Sequence, residues 1–84
     1  MTKFKANINI MPHDALLDPQ GKAVKGSMKN IGLDTIQNVR VGKHITLEVD
    51  AEDEEAAKLQ VDLACQKLLA NMIMERYDFT VIKM

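Results

Sequence analysis

The sequence predicts a single two-layer α+β domain. Three observations carry that prediction. Apolar side chains alternate with polar ones near the start, in the middle and at the end of the chain, the period-two pattern of strands with one wet face. Two segments between them carry apolar residues at spacings of three and four, each behind a helix start signal. The 84 residues are 46% hydrophobic but only 4% aromatic, with no Trp, so the core of one small domain must be built from Ile, Val, Leu, Ala and Met.

The first strand is written by Phe4, Ala6, Ile8 and Ile10 alternating with Lys3, Lys5, Asn7 and Asn9, and Pro12 ends it. After the link His13 to Leu17, Asp18-Pro19 opens a helix. The carboxylate can accept from free first-turn amides, and proline has its φ preset for the first helical position. Val24, Met28 and Ile31 give this helix an apolar stripe, and Gly32 supplies a left-handed stop. Gly21 and Gly26 weaken it by about 1 kcal/mol each relative to Ala, so packing must hold it, and a glycine can mark close approach of another backbone.

In the next segment Val39, Val41, Ile45, Leu47 and Val49 fall on odd positions, and the alternation passes through Gly42-Lys43 without changing phase. A two-residue hairpin there would oppose an apolar face to a polar one. The expectation is therefore either a three-residue loop, Gly42 to His44, or one long strand bent at Gly42. Twelve residues of strand would reach roughly 40 Å against about 30 Å for a compact domain, and the projecting part would require another chain's backbone.

Asp50-Ala51-Glu52-Asp53-Glu54-Glu55 leads acidically into a second helix, stabilised by the positive end of its dipole. Ala57, Val61, Ala64, Cys65, Leu68 and Leu69 form its predicted core stripe, with Leu59 and Leu63 to one side as the core edge or, as the second reading, a contact with a neighbouring subunit, and Asn71 can end it. Tyr77, Phe79 and Val81 write the last strand. The order strand, helix, strand or hairpin, helix, strand is related to the ferredoxin-like pattern.

Function classes narrow by exclusion. Eleven basic against twelve acidic residues, net charge −1, argues against nucleic acid or an anionic membrane as the partner. One cysteine, Cys65, allows no internal disulfide, and no Cys/His set has metal-ligand spacing, which fits a reducing cytoplasmic setting. No apolar run suggests a signal peptide or a membrane span, so the mature chain is expected to be the whole chain. Ser27 lies inside a helix, Cys65 on a buried stripe, and His13 and His44 stand alone, so no catalytic constellation emerges. His44 beside Lys43 and Arg40 reads as a solvated edge before it reads as an anion site. No phosphate-cradling glycine loop is present, since Gly21 and Gly26 fall in a helix. The residues alone describe a small interaction or regulatory domain.

Taken together, Leu17-Asp18-Pro19-Gln20-Gly21-Lys22-Ala23-Val24, then Val39-Arg40-Val41-Gly42-Lys43, the acidic helix start and Lys67-Leu68-Leu69-Ala70-Asn71, all in this order in 84 residues, resemble the PurS family. These are the small subunits of phosphoribosylformylglycinamidine synthase in purine biosynthesis. The chain departs from that pattern at His13, where a lysine is common, and at Met72, where a proline commonly follows Asn71. The resemblance implies a subunit without its own active site, metal or cofactor. It would form dimers or tetramers and bridge a glutaminase subunit (PurQ) and a synthetase subunit (PurL), supporting ammonia transfer, while ATP, Mg and glutamine are used by those partners. It points to Asp18, Pro19, Gln20 and Gly21 at one end, and Arg40, Gly42 and Lys43 at the other, as assembly surfaces. An amino-acid-binding regulatory domain of the ACT type shares this element order and is the alternative, although the link from His13 to Leu17 lacks the glycine that such domains favour there.

Overall fold

A computed structural model describes residues 1–84. Strand β1 (Thr2–Pro12) is followed by helix α1 (Pro19–Asn30), strand β2 (Lys43–Ala51), helix α2 (Glu54–Ala64) with a wider turn over Cys65–Leu69, and strand β3 (Glu75–Lys83). The three strands form one antiparallel sheet in the order β2-β1-β3. Ile8 lies opposite Ile45 on one side and Phe79 on the other, so the odd positions of the edge strands share a face with the even positions of β1. That face carries the core: Phe4, Ala6, Ile8 and Ile10 are buried under Ala57, Val61 and Cys65 of α2. The other face is polar.

α2 starts where the acidic run predicts. Asp53 caps it by accepting from the Ala56 N–H at 2.8 Å, with Glu54 and Glu55 in the first turn. Its end departs from the predicted stripe. The Ala70 N–H bonds to the Cys65 carbonyl, five residues back, at 3.0 Å, which makes the last turn a π-helical one. The inserted residue rotates the apolar stripe: Leu69 is half-buried and Ala70 buried, whereas Leu68 is 81% exposed. Leu68 is thus not core. Leu59 and Leu63, read as core edge, are 72% and 55% exposed. Asn71 ends the helix as expected, its side-chain oxygen accepting from the Ile73 N–H.

Over β3 the Tyr77 hydroxyl donates to Asp62 of α2, whose other oxygen accepts from the Gln66 amide at 2.8 Å. The Asp62 carboxylate holds the phenol neutral, so the Tyr77 pKa rises, and burial adds to the rise. Burial also pushes the Cys65 thiol up, with the nearby Asp62 charge adding. A raised thiol pKa suits packing, not nucleophilic work.

The middle segment is neither a hairpin nor one long strand. β2 begins at Lys43, and residues 38–42 belong to no strand. β1 pairs with β2 only as far as Ile10, opposite Lys43, and with β3 along its other edge as far as Pro12; before Lys43 the returning chain is held by Asp18, which accepts from the Val41 N–H. Pro12 has no N–H to extend the ladder, and Asn38 takes a positive φ of 56° that turns the chain. The unbroken parity across Gly42 is therefore coincidental with respect to pairing.

Candidate assembly surface

The two segments that stand out in the sequence meet in space. Asp18 caps α1 with Oδ1, which accepts from the Gly21 N–H at 3.0 Å, and ties the return chain with Oδ2, which accepts from the Val41 N–H at 2.8 Å. One carboxylate thus joins the start of α1 to residues 39–41. Those two backbone bonds, Gly21 first, hold the Asp18 pKa below its usual value; the Arg40 charge assists and burial opposes.

Arg40 reaches back along the link before the helix. Its Nη1 donates to the Leu16 carbonyl at 3.0 Å and its Nη2 to the His13 carbonyl at 2.7 Å. Its Nε lies 4.0 Å from Asp18 Oδ2 and is buried without a hydrogen-bond partner. The guanidinium fork donates from two separate nitrogens held in a fixed plane, whereas a lysine would have to reach both carbonyls from one nitrogen.

Both glycines of this region are there for close approach. A Cβ on Gly21 would overlap the Val39 carbonyl oxygen, and one on Gly42 would overlap the Ile10 carbonyl oxygen and the Met11 sulfur. Gly32, by contrast, supplies the left-handed stop after α1 with φ +82°.

This geometry divides the seven predicted surface residues. Asp18, Gly21 and Arg40 form an internal clasp; Gly42 is exposed but pressed against the Ile10 backbone, and Pro19, Gln20 and Lys43 are exposed with no such contact. The last three rim a cleft of about 490 Å³ with Leu16, Leu17 and Met74, and Lys43 spans toward Glu75 at 3.6 Å. Leu17 and Met74 are exposed. Sequence reasoning did not count them as surface residues, Leu17 entering only as the first residue of the family-like run, because they sit in links with no periodicity. Their only signal is that they are apolar where a connecting loop is ordinarily polar.

The histidines do not converge. His13 lies beside the clasp, while His44 Nδ1 is 2.7 Å from Asn9 Oδ1 on the open sheet face, where the Asn9 amide donates to Asp78 at 3.0 Å. No three His, Cys, Asp or Glu side chains come together as a metal set. What the region offers is a braced surface with an apolar and charged rim.

The family description "PurS: Phosphoribosylformylglycinamidine (FGAM) synthase" matches residues 5–83. The chain belongs to the PurS family. It is 37% identical over 78 residues to the phosphoribosylformylglycinamidine synthase subunit PurS of Synechocystis, covering 93% of this chain and 78% of that one. It is 32% identical to the Bacillus subtilis subunit, covering 93% and 92%. In three dimensions it resembles the structure of PurLQS from Thermotoga maritima, with TM-score 0.89 and 32% identity over 98% of this chain and all of the matched one. The crystal structure of Methanocaldococcus jannaschii PurS gives TM-score 0.85 at 30% identity over 96% and 98%. The amino-acid-binding regulatory alternative is not favoured by these matches.

Proposed function

We propose that this chain is the small, non-catalytic subunit of a phosphoribosylformylglycinamidine synthase complex, joining synthetase (PurL) and glutaminase (PurQ) subunits. Those partners would carry out the ATP- and glutamine-dependent conversion of formylglycinamide ribonucleotide to formylglycinamidine ribonucleotide. On this reading ATP, Mg and glutamine bind to them, the small subunit self-associates, and it supports ammonia transfer by fixing how the two larger subunits face each other. Purine synthesis of this kind is set in the cytoplasm, and no helix of the chain is long and apolar enough to cross a membrane.

The observation that carries the reading is the surface. Only eleven of the 84 residues are buried, while Val24 of α1, Ile31 just past its end, Leu59 and Leu63 of α2, Leu68, and Met72, Ile73 and Met74 before β3 stand exposed. A chain of this size that leaves so much apolar surface uncovered is built for contact with other proteins. The family match and the likeness to the chain of a PurLQS assembly support the same reading.

The clasp decides how to test it. Replacing Arg40 would loosen the link it braces and confuse contact with folding, so the informative variant is Gln20→Glu with Lys43→Glu, both on the exposed rim. With the synthetase and glutaminase subunits of the same organism, this variant is expected to fold normally, weaken complex formation at least tenfold and lower glutamine-dependent activity in proportion. Unchanged assembly with full activity would remove the rim from the contact, and failure of the unaltered chain to join the partners would overturn the function.

A further inference from the structure

Charge is unevenly spread along this nearly neutral chain. Residues 19–43 hold Lys22, Lys25, Lys29, Arg40 and Lys43 against Asp34 alone, whereas residues 44–62 hold seven carboxylates against Lys58. The fold keeps the two blocks apart. Residues 13–42 form an arm that leaves β1 at Pro12 and returns at Lys43, opposite Ile10, while the acidic run follows β2 at its other end, where Ala51 faces Thr2. Nine residues of strand put roughly 30 Å between them, several times the ~8 Å over which exposed charges act in physiological salt. The acidic run therefore does not neutralise the arm.

On α1 the cations are ordered. Lys22, Lys25 and Lys29 recur at spacings of three and four, so they share one lane of the helix. The apolar groove of Ala23, Val24, Met28 and Ile31 runs along the far side, about 160° round the helix axis, so whatever covers the groove leaves the lysines free. At the root of the arm a shallow cavity of about 220 Å³ is lined by Lys22 and Lys25 on the helix and by Asn38 and Arg40 on the returning chain. Arg40 has Asp18 as its counter-charge, at 4.0 Å. No ion pair of the chain includes any of the three lysines. Like charges three and four residues apart repel, and Lys22 sits near the positive end of the helix dipole, in a helix that Gly21 and Gly26 already weaken. The lane is unfavourable in the isolated chain, and carboxylates brought from outside relieve it.

We propose that the lysine lane of α1 docks an acidic strip on one of the two larger subunits, a row of carboxylates set along one side of a helix or strand. Lys22 and Lys29 are seven residues apart, about 10 Å along the axis, which is longer than one phosphate group and matches a row of side chains. The three aromatic residues, Phe4, Tyr77 and Phe79, all lie in strands, so nothing on the arm can stack on a nucleic-acid base. The helix carries no Trp, Phe or Leu to anchor it in lipid. A second copy is poorly supplied with free carboxylates. Glu48 and Glu54 are paired with Lys3 and Lys58, Asp53 caps α2, and Asp62 holds Tyr77 and Gln66. The inference rests on the joining of synthetase and glutaminase subunits proposed above and names the surface chemistry of one joint.

The test uses the full chain. Lys22→Glu with Lys25→Glu reverses the lane and favours α1 itself: the first change sets a carboxylate near the helix start, and the second sets one four residues ahead of Lys29. Circular dichroism and the thermal midpoint are expected to be unchanged or raised. In titrations against each larger subunit, binding of the unaltered chain to one of them is expected to weaken steeply with added salt. The reversed variant is expected to bind that subunit on the order of tenfold more weakly or worse at low salt, with a flatter salt dependence. Lys22→Arg with Lys25→Arg is expected to keep the affinity. Equal binding by the reversed variant, with the same salt dependence, overturns the lane and leaves the proposed function in place. Failure of the unaltered chain to join either subunit overturns that function. Loss of self-association in place of partner binding assigns the lane to a second copy, and charge-dependent capture by anionic vesicles or single-stranded DNA, with partner binding intact, assigns it to lipid or nucleic acid; each overturns the proposal. Should the reversed variant not fold, Lys22→Gln with Lys25→Gln is expected to show a smaller loss in the same direction, and no loss overturns the lane.

Discussion

The sheet with α2 and the arm of residues 13–42 are stabilised by different physics, although both belong to one short chain. In the body, Ile8, Ile10, Val61 and Cys65 are completely enclosed, and no polar side chain is buried among them. Stability there scales with apolar area removed from water. In the arm the helix buries a single glycine, and what holds it is a set of directed bonds from one carboxylate and one guanidinium. Area tolerates small errors and directed bonds do not. The contrast teaches that a surface meant for a partner can be kept exposed yet oriented, provided its root is fixed by hydrogen bonds instead of by burial.

The largest effect that would break this contrast belongs to the body. Ile8→Ala leaves a cavity at the centre of the sheet, where Ile8 is 0% exposed, and is expected to cost about 2–5 kcal/mol. Urea denaturation followed by circular dichroism should show the whole transition moving to lower denaturant. A shift no larger than that of a surface variant would mean that the body is not the source of stability.

A smaller and more local effect is expected at Gly21→Ala. The new methyl must push α1 away from the Val39 carbonyl, a strain of roughly 1–3 kcal/mol. Hydrogen exchange should quicken at the amides of Gly21 and Val41 while those of Ala6 and Ile8 keep their protection. Uniform loss of protection would show that arm and body are one cooperative unit.

The smallest effect under ordinary conditions is the pH response of the clasp. The Asp18 pKa is lowered in the folded chain, so its contribution is fully present above the unfolded value and is lost only as pH falls through the folded one. Protection of the Val41 amide should therefore be flat from neutral pH down to about 4 and decline below that. A decline already between pH 7 and 5 would assign the arm's hold to some other group.

Much of this was legible in one sequence. The period-two runs place all three strands, and Asp18-Pro19 and Asp53 with its acidic neighbours place both helix starts where the caps are found, because these signals act over a few residues of backbone. Leu68 was misplaced because a π turn adds one residue to a stripe counted at the ordinary helical period. The strand through Gly42 was misjudged for a related reason. Parity reports which face a side chain would take in a strand, not whether a partner strand is there, and the Val41 N–H bonds to Asp18 and not to β1. The family resemblance named two segments that meet in space, but it could not separate bonded from free residues within them.

Local signals in the chain write the strands, the caps and the left-handed stop at Gly32, and its near-neutral balance of charge with no convergent catalytic set suits a small interaction subunit. Only the tertiary structure decided that Asp18 and Val41, 23 residues apart, share a hydrogen bond, and that Gly21 and Gly42 are small because backbone passes against them. It alone left α1 standing clear of the sheet. The physical reason is range: capping, turn and periodicity energies are settled among near neighbours along the chain, whereas the direction of an arm depends on contacts that exist only once distant segments have met.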